Sequence, residues 1–303
     1  MASIILLLAF LAAGYLLQRA ISNSHSEKLS NILHKFVIYI SLPSLVLVYM
    51  VDMSFDDNFL LPIASAWGIL VVSIVMVLVL SKIFKWTRRI TGALLMIIPF
   101  GNTSFLGIPF TKVFFGDAGI PYAVIYDQLG SFLMLSTVGI IILSIYSGHR
   151  LSVPIILYKL VSFPSTIALV VAFILEAHMI PDLLMLVLKG LASTLTPLAL
   201  VVIGLHLKLK LDKDKLSPMF IGLSIKLIIA PLLLFFGYLV LDIDGLSAEV
   251  SILETAMGPM MSSAMLAIGV GLERRFVAST LGYGIVLSFI TLPLIYWIST
   301  NFL

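Results

Sequence analysis

The chain of 303 residues has no cysteine and few charged residues. The absence of cysteine excludes disulfides, thiol nucleophiles, iron–sulfur clusters and thiolate zinc sites. Charged residues make up only 11% of the chain, whereas an average soluble domain has about 25%. A chain of this length with so little charge has too few charged side chains to form a water-facing surface. Together with 61% hydrophobic residues, this predicts an integral membrane protein.

Signature motifs of enzymes and nucleic-acid-binding modules are also missing from the sequence. It contains no nucleotide-phosphate loop, no HExxH, no GxSxG and no paired-aspartate motif of membrane proteases. It has no basic stripe either, so its net charge of +3 is better explained by charged loops than by a nucleic-acid partner. We therefore expect a protein that is not an enzyme, has no cofactor and binds no nucleic acid.

Ten apolar segments have the length of a membrane-spanning helix, which is about 20 residues. The first is expected to be a retained helix rather than a signal peptide, because the basic residues follow it instead of preceding it. Connections are short, so no soluble domain interrupts the helices. The expected spans are roughly 3–21, 30–50, 60–82, 91–115, 119–146, 153–176, 182–206, 216–241, 248–271 and 278–301.

Basic residues concentrate in every second connection between these spans. The even-numbered connections are rich in Asp and contain only Lys112 among basic residues. The positive-inside rule therefore places the odd-numbered connections in the cytoplasm and both termini on the outer side. The basic residues of the odd-numbered connections are Arg19, Lys28, Lys35, Lys82, Lys85, Arg88, Arg89, Arg150, Lys208, Lys210, Lys213, Lys215, Arg274 and Arg275.

Proline-marked segments recur at a nearly constant distance along the chain. Near-equal offsets of about half the chain predict a duplicated five-helix unit, 1–150 and 151–303. Because five is odd, the second copy inserts upside down, which is the inverted repeat of secondary transporters. The pairs are Pro43 and Pro197, Pro62 and Pro218, and Asn102 and Pro259, which lie 154, 156 and 157 residues apart.

Spans 4 and 9 contain helix-breaking residues near their centres. Residues 99–109 read PFGNTSFLGIP and residues 254–263 read ETAMGPMMSS, and such Pro and Gly content is incompatible with an unbroken helix. Unwound backbone at membrane depth is tolerated where it is buried in protein or lines a watered cavity. Two broken helices at equivalent positions therefore predict a midplane binding site, where half-helix N-termini suit an anion and free carbonyls suit a cation.

Neutral polar side chains beside the breaks and the prolines are candidate ligands of a carboxylate substrate. The alternative for the hydroxyl groups is that they only satisfy backbone groups that proline leaves free. Ser41, Ser44 and Thr196 lie next to the prolines of spans 2 and 7 and are expected to line one side of the cavity. The candidates at the breaks are Asn102, Thr103, Ser104, Ser262 and Ser263, with neighbours of Pro259.

Ionisable residues within spans are candidate coupling groups, because burying a charge is costly. Asp127, next to Gln128 in span 5, is expected to bind a coupling cation, carry a proton or pair with a basic residue; the alternative is a structural hydrogen bond to a broken-helix amide. Glu254, next to Thr255, either closes a cation site with free carbonyls or reaches the interface as a solvated residue. Lys226 in span 8 needs a carboxylate partner or a substrate anion.

Four segments resemble the auxin efflux carrier family in its short bacterial form. The resemblance implies two inverted five-helix repeats, a scaffold domain of helices 1, 2, 6 and 7, and a mobile transport domain of helices 3–5 and 8–10. It further implies crossing of broken helices 4 and 9, elevator-type movement, homodimers, the bacterial inner membrane, and small organic anions such as malate or malonate as substrates. The segments are GNTSFLGIPF (101–110), FFGDAGIPYAVIYDQLGSF (114–132), LETAMGPMMSSAMLAIGVGL (253–272) and GIVLSFITLPL (284–294).

Particular residues carry this resemblance. Asn102 falls on the family's crossover asparagine, Pro109 on the nearby proline and Pro259 on the ninth-helix crossover proline, which adds both prolines to the substrate-site candidates. The second crossover asparagine and the long cytoplasmic loop of plant members are absent, which argues against auxin as the substrate. Separately, residues 254–257 are similar to the Glu-Thr-Gly motif of bile-acid:sodium symporters, whose glutamate contacts sodium, although Gly258 and Pro259 replace the companion Gln-Asn pair.

The sequence therefore predicts an all-α polytopic membrane protein of ten helices in two inverted repeats. Its expected function is alternating-access transport of a small organic anion, a carboxylate or dicarboxylate. Its expected partners are the lipid bilayer, a second copy of the chain, and H⁺ or Na⁺ at Asp127, Gln128, Glu254 and Thr255 if transport is coupled. The alternatives are a sodium-coupled symporter of a larger organic acid and a membrane-embedded metabolite sensor without transport.

Overall fold

A computed structural model describes residues 2–51, 53, 59–147, 162–175, 177–210 and 213–303. Helices make up 86% of it and the described residues contain no strand, which confirms the all-α class. Arg150, the expected boundary between the repeats and the start of span 6 lie outside the described residues.

Several helices are long and apolar enough to cross a membrane, which agrees with a multi-pass membrane protein. Three shorter apolar helices, Ile4–Ala20, Thr103–Phe115 and Pro164–Ile174, fall within the expected spans 1, 4 and 6. The number of ten spans, their inverted insertion and the elevator fold stay predictions. The long helices of the described part are Asn23–Met50, Leu60–Ile83, Asp117–Ser147, Asp182–His206, Leu216–Leu241 and Arg274–Phe302.

Local sequence explains where several of these helices begin and end. The Thr87 hydroxyl caps the helix that follows it by accepting a hydrogen bond from the backbone N–H of Ile90. Gly116 adopts a φ of 67° and ends the helix before it. Within the described residues, the α-helices are Ala2–Ala20, Asn23–Phe36, Leu42–Met50, Leu60–Ile83, Arg88–Ile97, Ile108–Phe115, Ile120–Ile125, Ile140–Ser147, Pro164–Ile174, Asp182–Ser193, Leu195–His206, Leu216–Ser224, Ala230–Leu241, Leu246–Thr255, Met261–Gly269 and Arg274–Phe302.

Wider π-helical turns interrupt or extend several of these helices, and most contain a polar residue that the sequence singled out. Ser41, Thr103, Asp127 and Lys226 each lie in such a turn. Because π-turns leave the regular hydrogen-bond ladder locally unmatched, they occur often at functional sites. The π-helical segments are Val37–Ser41, Thr103–Gly107, Tyr126–Phe132, Leu135–Gly139 and Ile225–Ile229.

The chain divides into two compact units, and each unit contains helices from both halves of the sequence. The first comprises Met1–Asp56, Ser104–Val124 and Pro154–Leu207, and the second comprises Asp57–Thr103, Ile125–Val153 and Lys208–Leu303. The chain therefore passes from one unit to the other directly after Thr103 and again after Val124. The scaffold and transport domains expected from the resemblance stay predictions.

The first unit is organised around a close pair of helices, Ala2–Ala20 and Leu195–His206. They approach each other at Gly14 and Gly204: a β-carbon on Gly204 would lie 2.7 Å from the Tyr15 nitrogen and 2.9 Å from the Gly14 Cα. Small residues allow this approach, as is common where helices pack in membranes. Helix Leu42–Met50 packs on two other helices of the unit, Pro164–Ile174 and Asp182–Ser193.

The second unit is built around helix Leu246–Thr255, which packs against Leu60–Ile83 and Arg274–Phe302. At one end of the unit, Lys215 pairs with Glu273 at 2.6 Å, and Tyr283 donates a hydrogen bond of 3.2 Å to the Leu209 carbonyl. The chain around Lys215 therefore contacts the chain around Glu273. Their orientation in the membrane stays a prediction.

Candidate functional site

Two helices of the second unit are broken where the prolines and glycines predicted a break. Helix Arg88–Ile97 ends before the first break, residues 98–102, and the chain re-enters a helical turn at Thr103. Helix Leu246–Thr255 ends before the second break, residues 256–260, and helix Met261–Gly269 follows it. The residues of both breaks are buried, so their backbone groups need partners within the protein.

The two breaks satisfy part of this need by pairing with each other. Gly101 and Pro259 form a short antiparallel bridge. On its two sides, the backbone N–H of Asn102 donates to the Gly258 carbonyl at 2.8 Å, and that of Met260 donates to the Phe100 carbonyl at 3.0 Å. The paired breaks therefore hold the backbone of Asn102 next to Pro259.

The side chain of Asn102 has an unused hydrogen-bond donor. Asn102 is only 3% exposed, and its Nδ2 atom has no hydrogen-bond partner among the described residues. An unsatisfied buried amide costs about 1–3 kcal/mol. A ligand oxygen that accepts this hydrogen bond would remove that cost, so Asn102 is the strongest candidate for a substrate contact.

Asp127 lies beside the first break and is part of a polar cluster. The Thr103 hydroxyl donates to Asp127 Oδ1, and Gln128 Nε2 donates to Asp127 Oδ2 at 2.7 Å. One of these partners, Thr103, is a residue at the first break, so Asp127 is tied to the break by a hydrogen bond. Gln128 Oε1 and Ser131 Oγ are also buried and have no hydrogen-bond partner within the described residues.

Lys226 contacts the end of the helix that precedes the second break. Its Nζ atom donates to the Thr255 carbonyl at 3.2 Å and interacts electrostatically with the Glu254 carboxylate. Glu254 is 0% exposed, so the prediction that it reaches the interface as a solvated residue is wrong: helix Leu246–Thr255 is packed on several sides and buries it. Whether Lys226 pairs with a carboxylate or with a substrate anion stays a prediction.

Sequence reasoning missed Tyr126, which also belongs to this cluster. Its hydroxyl shares a hydrogen bond of 2.9 Å with Thr255 Oγ1, and it is 4% exposed. Thr255 thus contacts Lys226 through its carbonyl and Tyr126 through its side chain. The only signal in the sequence was the position of Tyr126 directly before Asp127, and a tyrosine within an apolar span is not by itself informative.

The two serines after the second break have different surroundings. Ser263 is buried and its hydroxyl donates to the Met260 carbonyl at 2.9 Å, as the alternative of backbone satisfaction predicted. Ser262 is exposed. Both lie in the first turn of helix Met261–Gly269, where backbone N–H groups have no partner within the helix.

The remaining candidate residues for the substrate site lie in the first unit. Ser41 and Thr194 share a hydrogen bond of 2.7 Å, and because the Thr194 hydroxyl donates to the Leu191 carbonyl, Ser41 is the donor. The sequence singled out Thr196 instead of Thr194. Ser44 and Pro109 are buried, while Thr196 and Ser104 are partly exposed.

In the described part of the chain, no group of three or more His, Cys, Asp or Glu side chains is placed to hold a metal ion.

Comparison with known proteins agrees with a multi-pass membrane protein. The profile of a family described as membrane transport proteins matches residues 1–296. An uncharacterized transporter of Methanothermobacter thermautotrophicus is 27% identical over 303 residues, with 96% of each chain covered. An uncharacterized transporter of Methanocaldococcus jannaschii is 28% identical over 287 residues, with 91% of each chain covered.

The fold and these matches define a multi-pass membrane protein of the transporter class. The chain belongs to the membrane transport protein family, which is the auxin efflux carrier family. The family resemblance carried by residues 101–132 and 253–294 is therefore confirmed. Similarity to bile-acid:sodium symporters stays a prediction.

Proposed function

We propose that this protein is a secondary carrier of a small organic anion, a carboxylate or dicarboxylate such as malate or malonate, that works by alternating access. The observation that carries the proposal is the buried Asn102 side chain, whose Nδ2 donor has no partner among the described residues. A carboxylate oxygen is a suitable acceptor, and hydrogen bonds to charged groups contribute about 1.5–3 kcal/mol.

The second break supports an anionic rather than a neutral substrate. Helix Met261–Gly269 begins directly after it, and a helix N-terminus carries partial positive charge and free N–H donors. Backbone pairing between Asn102 and Gly258 holds the asparagine beside this break. One neutral side-chain donor and one helix terminus bind a carboxylate without the cost of an additional buried charge.

The proposal includes the finer features of the family resemblance. These are ten spans in two inverted repeats, a transport domain that carries the paired breaks in an elevator-type movement, and a homodimer with both termini on the outer side. Coupling, if it exists, would use Asp127 or Glu254, which are the two buried carboxylates among the described residues of the second unit.

The test is uptake of labelled malate and malonate into proteoliposomes that contain the purified protein. We expect saturable uptake that unlabelled substrate inhibits. Asn102→Ala should weaken the apparent affinity about 10- to 100-fold, because it removes a hydrogen bond to a charged group. Imposed pH and Na⁺ gradients then distinguish coupled transport from equilibration.

Asn31→Ala is the matched control, because Asn31 is an exposed asparagine within helix Asn23–Phe36. It should leave uptake unchanged. Normal uptake by a correctly folded Asn102→Ala variant would contradict the site. Saturable binding of the acids without any flux would contradict the carrier function and favour a sensor.

A further inference from the structure

Lys226 is unusual because its charged side chain is buried. Of the Lys and Arg residues whose side chains the structure describes, it is the one that is buried, with 3% exposure. It lies in the π-helical segment Ile225–Ile229 of the second unit. Burying an ammonium group costs several kcal/mol unless oxygen atoms replace the water molecules that hydrate it. The atoms around Lys226 Nζ therefore indicate what kind of ion this position binds.

Those atoms are oxygens at the end of a helix. Nζ lies 3.2 Å from the carbonyl oxygen of Thr255, the last residue of helix Leu246–Thr255. Glu254, the residue before Thr255, is fully buried at the same helix end. Carbonyl oxygens at a helix C-terminus carry the negative end of the helix dipole and favour a cation.

Gly101, in the first break, lies close to Lys226 Nζ and to the end of helix Leu246–Thr255. A β-carbon at this position would lie 3.1 Å from Lys226 Nζ and 3.5 Å from the Glu254 carbonyl oxygen. The ammonium, the last carbonyls of the helix and the first break therefore converge within one small volume. Carbonyl and carboxylate oxygens at broken helices are also the ligands by which transporters hold Na⁺.

From this geometry we infer that the Lys226 ammonium is a tethered cation, which fills the position where the carbonyls of the second break and Glu254 would otherwise bind a free Na⁺. The inference deepens the proposed function, since it assigns the cation position of the same paired breaks to a side chain. A second positive charge a few ångströms from the ammonium would be strongly repelled at low dielectric. This position is therefore closed to Na⁺ in the wild type, and a variant without the ammonium gains a Na⁺ site there.

The experiment measures Na⁺ binding to purified protein without any organic anion, so its outcome is independent of whether malate or malonate is transported. Thermal unfolding is recorded in NaCl and in choline chloride at equal ionic strength. We expect the wild type to melt at the same temperature in both salts. Lys226→Met, which keeps an unbranched side chain one atom shorter and removes the charge, should melt at least about 2 °C higher in NaCl than in choline chloride.

Three variants separate charge from packing. Lys226→Arg keeps a positive charge and should not respond to Na⁺. Lys226→Met combined with Glu254→Gln removes the carboxylate and should lose the Na⁺ response. Lys189→Met, at an exposed lysine, should behave as the wild type. Lys226→Gln is the second uncharged variant and should show the same Na⁺ response as Lys226→Met.

Two results would overturn the inference. One is stabilisation of the wild type by Na⁺ relative to choline, since the position would then be open to a free cation. The other is that neither uncharged variant at position 226 gains stability in Na⁺, whether it melts equally in both salts or folds in neither. Recovery of a folded variant only in the presence of Na⁺ would support the inference.

Discussion

Gly101 and Lys226 lie close together at the paired breaks, and little room is left for a side chain on the glycine. A β-carbon at position 101 would lie 3.1 Å from Lys226 Nζ, which is tighter than an ordinary van der Waals contact. The absence of a side chain at position 101 therefore leaves space for the end of the lysine side chain. This relationship links the first break to the chemistry of the second.

Gly101→Ala should displace the Lys226 ammonium by a few tenths of an ångström and weaken its hydrogen bond to the Thr255 carbonyl. Overpacking of this kind costs about 1–3 kcal/mol, and we expect a lower melting temperature and slower uptake. Gly237→Ala is the control, because that glycine lies in helix Ala230–Leu241 and an added β-carbon there would have no atom within 4 Å. It should be neutral or stabilising, since Ala is the better helix former.

Thr103 and Asp127 should behave as a coupled pair. The Thr103 hydroxyl donates to Asp127, so Thr103→Val and Asp127→Asn remove or alter the same hydrogen bond. In a double-mutant cycle of thermal stability we expect a coupling energy of about 1 kcal/mol or more. Thr280 is the control, because it is buried in the same unit but donates to the Phe276 carbonyl of its own helix at 2.8 Å. Thr280→Val and Asp127→Asn should be additive, and equal coupling in both cycles would show that the Thr103 bond is not specific.

The close helix pair of the first unit gives a third prediction. A methyl group on Gly204 would lie 2.7 Å from the Tyr15 nitrogen and 2.9 Å from the Gly14 Cα, so Gly204→Ala must push helices Ala2–Ala20 and Leu195–His206 apart. We expect a large fall in the melting temperature and poor recovery from the membrane. Gly190→Ala, at a helical glycine with open space around it, should be tolerated. Equal stability of the two variants would contradict the close packing.

The sequence was informative where physical rules act locally. Proline and glycine at 99–109 and 258–259 predicted both helix breaks, because proline removes a backbone donor wherever it stands. Burial cost singled out Asp127, Glu254 and Lys226 as the ionisable residues to examine. These arguments need only the residue and its depth in a span.

The partners of those residues could not be predicted from the sequence, because they depend on packing between distant segments. Lys226 and Thr255 are 29 residues apart, and Tyr126 and Thr255 are 129 residues apart. The solvated alternative for Glu254 was wrong for the same reason. Hydropathy gives the distance of a residue from a span end, but not which helices surround it.

Glu273 offers a test of backbone strain outside the spans. It precedes helix Arg274–Phe302 with a φ of 29°, which is rare for a residue with a side chain, and it pairs with Lys215 at 2.6 Å. Glu273→Ala loses the ion pair and keeps the strained backbone, whereas Glu273→Gly loses the ion pair but relieves the strain. We expect the Gly variant to be more stable than the Ala variant by about 0.5–1 kcal/mol.

Lys215→Met measures the contribution of the ion pair alone, which should be small and should decrease with added salt because both side chains are partly exposed. Thermal melts of the three variants at low and high salt therefore separate the two effects. If the ion pair holds the left-handed backbone in place, Glu273→Ala is the least stable of the three at every salt concentration. A Gly variant that melts below the Ala variant would show that position 273 relaxes to an ordinary conformation once the ion pair is lost.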